Sequence, residues 1–260
     1  MDKILLKQAI NEKDVVRANR VIYNRKRPED YARVASIFND VQRNKVRRIL
    51  RHIRKSTRGE RFLDVGCGTG HLIGLALPIF PHCFGVDVAE KLLCRISREI
   101  PGARFTAASA SELPFEDRSF DAVGMYALLH HMYDPISAVA EAYRVLRPGG
   151  ILYTDHDPNW YLGRIYRLWR RLKSGKPCTF GSPVEDLAEY HHVYTAGINP
   201  EKLAEGLKAI GFRKVKIRYR HSTNPNLSGL HFLALELLKH GSRIFPARSF
   251  FTHFIILAQR

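Results

Sequence analysis

The feature that most constrains this chain is the run Asp64-Val65-Gly66-Cys67-Gly68-Thr69-Gly70, which places glycine at every second position after the apolar Phe62 and Leu63. Glycines at that spacing let a backbone turn come close to a ligand, and a helix starting just beyond it presents unpaired N–H groups. The following HLIGLALPIF is apolar and helix-like up to Pro78, so the unit reads strand, turn, helix. The dinucleotide fingerprint G-x-G-x-x-G needs glycine at 71, where this chain has His71. Nicotinamide and flavin dinucleotides therefore fall behind.

The alternation then continues. CFGVDVA reads as a strand, KLLCRISREI as a helix, ARFTAAS as a strand, and SFDAVGMYALL as a strand opening into a loop. Ile136 to Leu146 is expected as a helix with Ile136, Val139, Ala140, Tyr143 and Leu146 on its apolar side. RPGG stops it before the strand ILYTDH. Later, PEKLAEGLKAIGF reads as a helix, and KVKIRYR and FFTHFIILAQR as two more strands. The expected fold is α/β, a doubly wound, mostly parallel seven-stranded sheet with helical insertions.

Residues 1–46 are read as a basic N-terminal helical lead-in and 47–260 as the main domain. Within 41–55, Val46, Ile49, Leu50 and Ile53 recur at helix spacing among arginines. Residues 158–197 and 222–249 do not fit the alternation, and connections of that length usually carry function, so both are candidate substrate covers.

Charge divides the chain in the same places. Of 260 residues with net charge +17, residues 1–61 carry +11, 62–158 carry −5 and 159–260 carry +11. The acidic middle is the candidate working core, and the basic flanks suit anionic partners. Cys67, Cys83, Cys94 and Cys178 form no C-x-x-C pair, and no apolar stretch reaches the roughly 18 residues of a membrane span, so a reducing, cytoplasmic setting is expected, with peripheral membrane contact as an addition.

From about Arg47 to Arg260 the chain resembles the class I S-adenosylmethionine-dependent methyltransferases. LDVGCGTG is similar to their first motif, GVDVAE places an acid at the end of the second strand, ASASELPFEDRSFDAV matches the third- and fourth-strand signature, and RVLRPGG is typical. The subgroup it most resembles acts on small molecules, including quinones and lipids. The resemblance implies a Rossmann-like fold and S-adenosyl-L-methionine as cofactor. It assigns Asp64 to the cofactor's amino group and Gly66, Gly68 and Gly70 to close approach along its methionine portion. Asp87 would take the ribose hydroxyls, with helix capping as its alternative use. Val88, Ser109, Ala110 and Tyr126 complete the expected cofactor lining, and Ser109 departs from the acid usual at the adenine end.

On the acceptor side, His130 and His131 follow the fourth strand, where an imidazole could take a proton from a phenol or an activated carbon. Asp155, His156, Asp157, His191 and His192 could be imagined around a metal, but they contain no helix-spaced ligand pair, so no metal is expected. YALLHHMYDP is not the D/N-P-P-aromatic turn of base N-methylation, and no cysteine ends that strand, so nucleic acid is a disfavoured partner.

In 160–173, Leu162, Ile165, Tyr166, Trp169 and Leu172 share a helix face opposite arginines. That suits a lid over the acceptor, with contact to an anionic membrane surface as an addition. LSGLHFLALELLKHGSRIF in the second insertion is apolar on nearly every face. The leading expectation is methyl transfer to an O or C atom of a small hydrophobic or amphiphilic acceptor. Its competitors are an RNA methyltransferase using the basic flanks and a non-catalytic binding module.

Overall fold

A computed structural model describes residues 10–25, 39–174, 179–221 and 247–260. The apolar second insertion, apart from its last residues, lies outside the described residues.

The strands are β1 (Arg61–Val65), β2 (His82–Asp87), β3 (Ala103–Ala107), β4 (Phe120–Tyr126), β5 (Leu146–Pro158), β6 (Arg213–Arg220) and β7 (His253–Gln259). They form one seven-stranded sheet in the order β3-β2-β1-β4-β5-β7-β6. Neighbours among β1 to β5 are parallel, while β7 runs antiparallel to both β5 and β6. The expected doubly wound, mostly parallel sheet is therefore present, with β7 its one reversed strand. All seven residues of β4 are buried, as a central strand covered on both faces requires.

Helices cover the sheet: α1 (Glu12–Arg25), α2 (Asp40–Thr57), α3 (His71–Ala76), α4 (Glu90–Glu99), α5 (Pro135–Val145), α6 (Trp160–Ser174), α7 (Pro183–Ala188) and α8 (Pro200–Ile210). In α2 the buried stripe is Gln42, Val46, Leu50 and Ile53, with Asn39 accepting from Gln42 N–H as the N-cap. A boundary at residue 46 falls inside this helix, which runs through it unbroken.

The face of α5 differs from the sequence reading. Ala138, Val139, Ala142 and Val145 are buried, whereas Ile136 is 36% exposed. Ala138, Val139, Ala142 and Val145 join the core, while Ile136 and Tyr143 turn toward α8 and the residues just after it. Ile136 fills the space over Gly206, where an added methyl would lie 2.5 Å from its Cδ1, and Tyr143 meets Phe212 edge-on with centroids 5.0 Å apart. Periodicity finds an apolar face, but which of two adjacent stripes meets the sheet depends on side-chain volume at the contact.

Among the described residues no helix is long and apolar enough to cross a membrane. Helix α6 forms where the basic amphipathic helix was expected, yet Tyr166, Leu168, Trp169 and Leu172 stay 50–80% exposed.

Candidate active site

A cleft of about 980 Å³, counting its open mouth, lies at the carboxyl ends of β1, β2 and β4. That is where the strand order reverses and where open α/β sheets bind ligands. Its floor is the glycine turn. Gly66 and Gly68 have φ of +69° and +49°, and an added methyl on Gly66 would lie 2.5 Å from Leu128 Cδ1, whereas one on Gly68 would meet nothing closer than 4.0 Å. Gly66 is thus needed for packing against the loop after β4, and Gly68 leaves its space to the cleft. Gly70 sits just outside the lining as the N-cap of α3, with φ +76° and Ile100 against it.

Asp64 lines the cleft but is 1% exposed, and neither of its carboxylate oxygens makes a hydrogen bond of full geometry. Burial, reinforced by the nearby Asp87, pushes its pKa well above the ordinary carboxylate value, the Ile73 backbone N–H lying near enough only to oppose part of the shift. A buried carboxylate so weakly partnered, facing a cavity, calls for a cationic ligand group. Asp87 also lines the cleft, and its carboxylate accepts from Gly68 N–H at 2.9 Å and Ala89 N–H at 3.0 Å. Burial raises its pKa, and these two donors oppose the shift. Each oxygen keeps a second lone pair, so the capping and ligand-binding uses of Asp87 are compatible here.

Val88, Ser109, Ala110 and Tyr126 line the cleft as well. Ser109 Oγ is 2.8 Å from Ser111 Oγ. Tyr126 is held by Gln42 Nε2, which donates to its hydroxyl at 3.0 Å, so α2 braces the site from behind.

The two histidines after β4 separate. His131 lines the cleft, and His130 does not. His130 is buried, with its Nδ1 2.8 Å and its backbone N 3.1 Å from Asp157 Oδ1. Burial drives its pKa well below the usual histidine value. Asp157 is thereby used inside the protein, capping the turn after β4. His156, at φ +69° on a bulge in β5, stacks between Tyr126 and His253 at 5.4 and 4.3 Å rather than lining the cleft. Asp155 pairs with Arg220 at 3.0 Å and accepts from Tyr153 O–H at 2.6 Å.

His131 Nδ1 donates to the Ala188 carbonyl at 2.7 Å, which fixes the tautomer and leaves the lone pair on Nε2. That nitrogen accepts from the Tyr23 hydroxyl at 3.0 Å. Tyr23 belongs to α1, which also brings Glu12, Val15, Val16 and Asn19 to the cleft. Asn19 Nδ2 donates to the carbonyls of Val15 (2.9 Å) and His131 (2.8 Å). Arg20 donates to Val88 O at 3.2 Å, and Lys91 N–H donates to Asn24 Oδ1 at 2.9 Å, tying α1 to α4.

Helix α1, not 160–173, therefore covers the cleft, and α6 contributes no lining residue. The sequence reading missed Tyr23 and its neighbours, although Glu12, Val15 or Val16, Asn19 and Tyr23 recur at steps of three or four and share a helix face.

A glycine turn after β1, an acid at the end of β2 and a switch-point cleft define a nucleoside-cofactor α/β protein. The sequence model for the methyltransferase domain matches residues 63–154. A demethylmenaquinone methyltransferase from Clavibacter sepedonicus is 31% identical over 167 residues, 62% of this chain and 68% of that one. A malonyl-[acyl-carrier protein] O-methyltransferase from Methylococcus capsulatus is 30% identical over 62% of this chain and 54% of its own length. Across the curated relatives that it matches, the chain spans from 31% to 70% of their length.

Among solved structures, an S-adenosylmethionine-dependent methyltransferase from Mesorhizobium loti shares the fold at a TM-score of 0.56 and 19% identity, over 87% of this chain and 99% of that one. The chain belongs to the class I S-adenosylmethionine-dependent methyltransferase family, whose cofactor is S-adenosylmethionine. The residues present fit that cofactor, because the buried Asp64 carboxylate suits a cationic amino group and the Gly68 backbone leaves room beside it.

Proposed function

We propose that this protein transfers a methyl group from S-adenosylmethionine to an O or C atom of a small hydrophobic or amphiphilic acceptor. The observation that carries the reading is one cleft that holds both the buried Asp64 beside Asp87 and the Tyr23–His131 pair, with Val15, Val16, Leu128 and Met132 in its lining. The relative named for demethylmenaquinone supports an apolar acceptor.

The cofactor supplies an electrophilic methyl group on a cationic sulfur. Asp64 would hold the cofactor's amino group, Asp87 would offer its remaining lone pairs to the ribose hydroxyls, and Val88, Ser109, Ala110 and Tyr126 would line the rest of the cofactor site. Toward the acceptor, the Tyr23 oxygen takes a proton from the acceptor while its own proton passes to His131 Nε2. The Ala188 carbonyl holds the imidazole for that step through Nδ1. His130 acts only through position, because its bonds to Asp157 hold the turn that presents His131. Positioning contributes the larger share of the rate, since the displacement has a good leaving group.

Calorimetry with S-adenosylhomocysteine tests the cofactor half, with Asp87→Ala as the weakened control; no binding by wild type would overturn it. Labelled-methyl transfer to a panel of quinols, phenols and lipids tests the acceptor half, and turnover confined to RNA would replace it.

We also propose that α6 touches an anionic membrane surface. Its exposed Tyr166, Leu168, Trp169 and Leu172 lie among Arg164, Arg167, Arg170, Arg171 and Lys173, an amphipathic pattern for a lipid interface. Replacing Arg167, Arg170 and Arg171 with Gln should reduce low-salt binding to phosphatidylglycerol vesicles. Wild-type protein that ignores such vesicles would end this reading.

A further inference from the structure

Beside the cleft, the turn after β4 meets the segment after α7 through a cluster that shares His131 with the proposed proton path and otherwise takes no part in it. Ligating atoms of His130, His131 and Glu189 lie within 4.8 Å of one another. The Glu189 carboxylate oxygen Oε2 is 4.0 Å from His130 Nε2, 3.9 Å from His131 Nδ1 and 3.9 Å from His192 Nε2. These separations are too long for hydrogen bonds. They are close to the spacing of atoms that share an ion, because a tetrahedral site with bonds of about 2.1 Å puts its ligands about 3.4 Å apart. Closing the site takes a movement of the partly exposed Glu189 side chain and release of His131 Nδ1 from the Ala188 carbonyl.

The surroundings are built for such an ion. A metal-bound imidazole characteristically gives its other N–H to a carboxylate, which fixes the ring and raises its basicity. His130 has that arrangement: its Nδ1 is 2.8 Å from Asp157 Oδ1, Asp157 is fully buried, and Nε2 points toward Glu189. His192 packs edge-on against His130 with ring centroids 5.0 Å apart. Imidazole with one carboxylate is a donor set for zinc-like divalent ions, not for calcium or magnesium, which prefer oxygen alone.

We propose that His130 Nε2, His131 Nδ1 and Glu189 bind one divalent transition-metal ion of the zinc type. His131 joins by exchanging its bond to the Ala188 carbonyl for the ion, and its ring proton moves to Nε2, which then donates to the Tyr23 oxygen, so the ion-bound form is one in which the Tyr23-to-His131 proton path is closed. The ion clips His130 and His131 to Glu189 and so fixes the cleft wall at His131. The inference does not depend on the proposed reaction. Metal binding without methyl transfer would leave it standing, and methyl transfer without metal binding would not rescue it.

The test uses the full chain, stripped with a chelator and titrated with Zn²⁺ against a chromogenic competitor and with Co²⁺ by visible absorption. The expected result is one tight equivalent, the d–d bands of a low-coordinate Co²⁺ site, and a rise in Tm with Zn²⁺. Glu189→Gln should weaken binding by at least tenfold, and Asp157→Asn, which touches no metal, by about 10–100-fold. The exposed-site variants His52→Ala and His82→Ala should bind as wild type does. Calorimetry with S-adenosylhomocysteine checks that Glu189→Gln is folded. No stoichiometric binding by wild type, or binding that survives Glu189→Gln and falls with His52→Ala or His82→Ala, overturns the site.

Discussion

Replacing Asp64 with Asn should move stability and cofactor affinity in opposite directions. In the free protein the Asp64 carboxylate is buried without a hydrogen bond of full geometry, beside a second carboxylate, Asp87. An unsatisfied buried polar group costs about 1–3 kcal/mol, and more when charged. The amide is nearly isosteric and still polar, so the gain expected from Asp64→Asn is about 1–2 kcal/mol, or roughly 2–8 °C in Tm for a chain of this size.

The sign also has a pH dependence. Because the folded-state pKa is raised, the folded protein holds the Asp64 proton more tightly than the unfolded chain does, and wild-type stability falls as pH rises above about 4. The advantage of the variant should therefore be small in acid and largest at neutral pH. Binding goes the other way: losing a charge-assisted hydrogen bond of about 1.5–3 kcal/mol weakens S-adenosylhomocysteine by roughly 10–150-fold. Thermal melts without ligand from pH 4 to 8, paired with calorimetry, read both quantities. A variant less stable than wild type at neutral pH, or one with unchanged affinity, refutes the assignment of Asp64 as a ligand carboxylate held at a cost to the fold.

Three further outcomes are expected. His71 and His253 are kept neutral by burial, with pKa values lowered to about 4 and about 3, so stability should fall as pH drops from about 6.5 through 4. Each adds a slope approaching about 1.4 kcal/mol per pH unit; urea midpoints should show this, and His253→Phe, which keeps a ring against His156, should flatten it. Gly66→Ala should lower Tm by several degrees through the Leu128 contact, whereas Gly68→Ala should cost only about 1 kcal/mol of left-handed backbone strain while weakening S-adenosylhomocysteine, as melts and calorimetry would show. Tyr23→Phe should lower kcat by about tenfold to a hundredfold on acceptors that must lose a proton and leave cofactor affinity unchanged, and equal kcat for the variant would remove Tyr23 from the proton path.

Much of this molecule was legible in the order of its residues, because local rules act over a few positions. The strand–turn–helix at Asp64–Gly70, the alternation through β5 and the acid at Asp87 each depend on neighbours close in sequence, and they yield both the parallel sheet and the floor of the cleft. The buried face of α2 was readable for the same reason, since one stripe of apolar residues has only one way to meet a core.

What the sequence alone did not decide are the meetings of distant segments. Tyr23 reaches His131 across 108 positions, and His130 reaches Asp157 across 27. Adjacent histidines look equivalent in a linear string, but the turn after β4 points one into the cleft and the other into the interior. The cover of the cleft was likewise settled by packing: α1 docks on Val88 through Arg20 and on α4 through Asn24, while the more conspicuous Trp-bearing α6 leaves Tyr166 and Trp169 exposed. Amphipathicity states that a helix has a face to bury, and only the tertiary structure, through shape and hydrogen-bond complementarity between remote segments, decides against what.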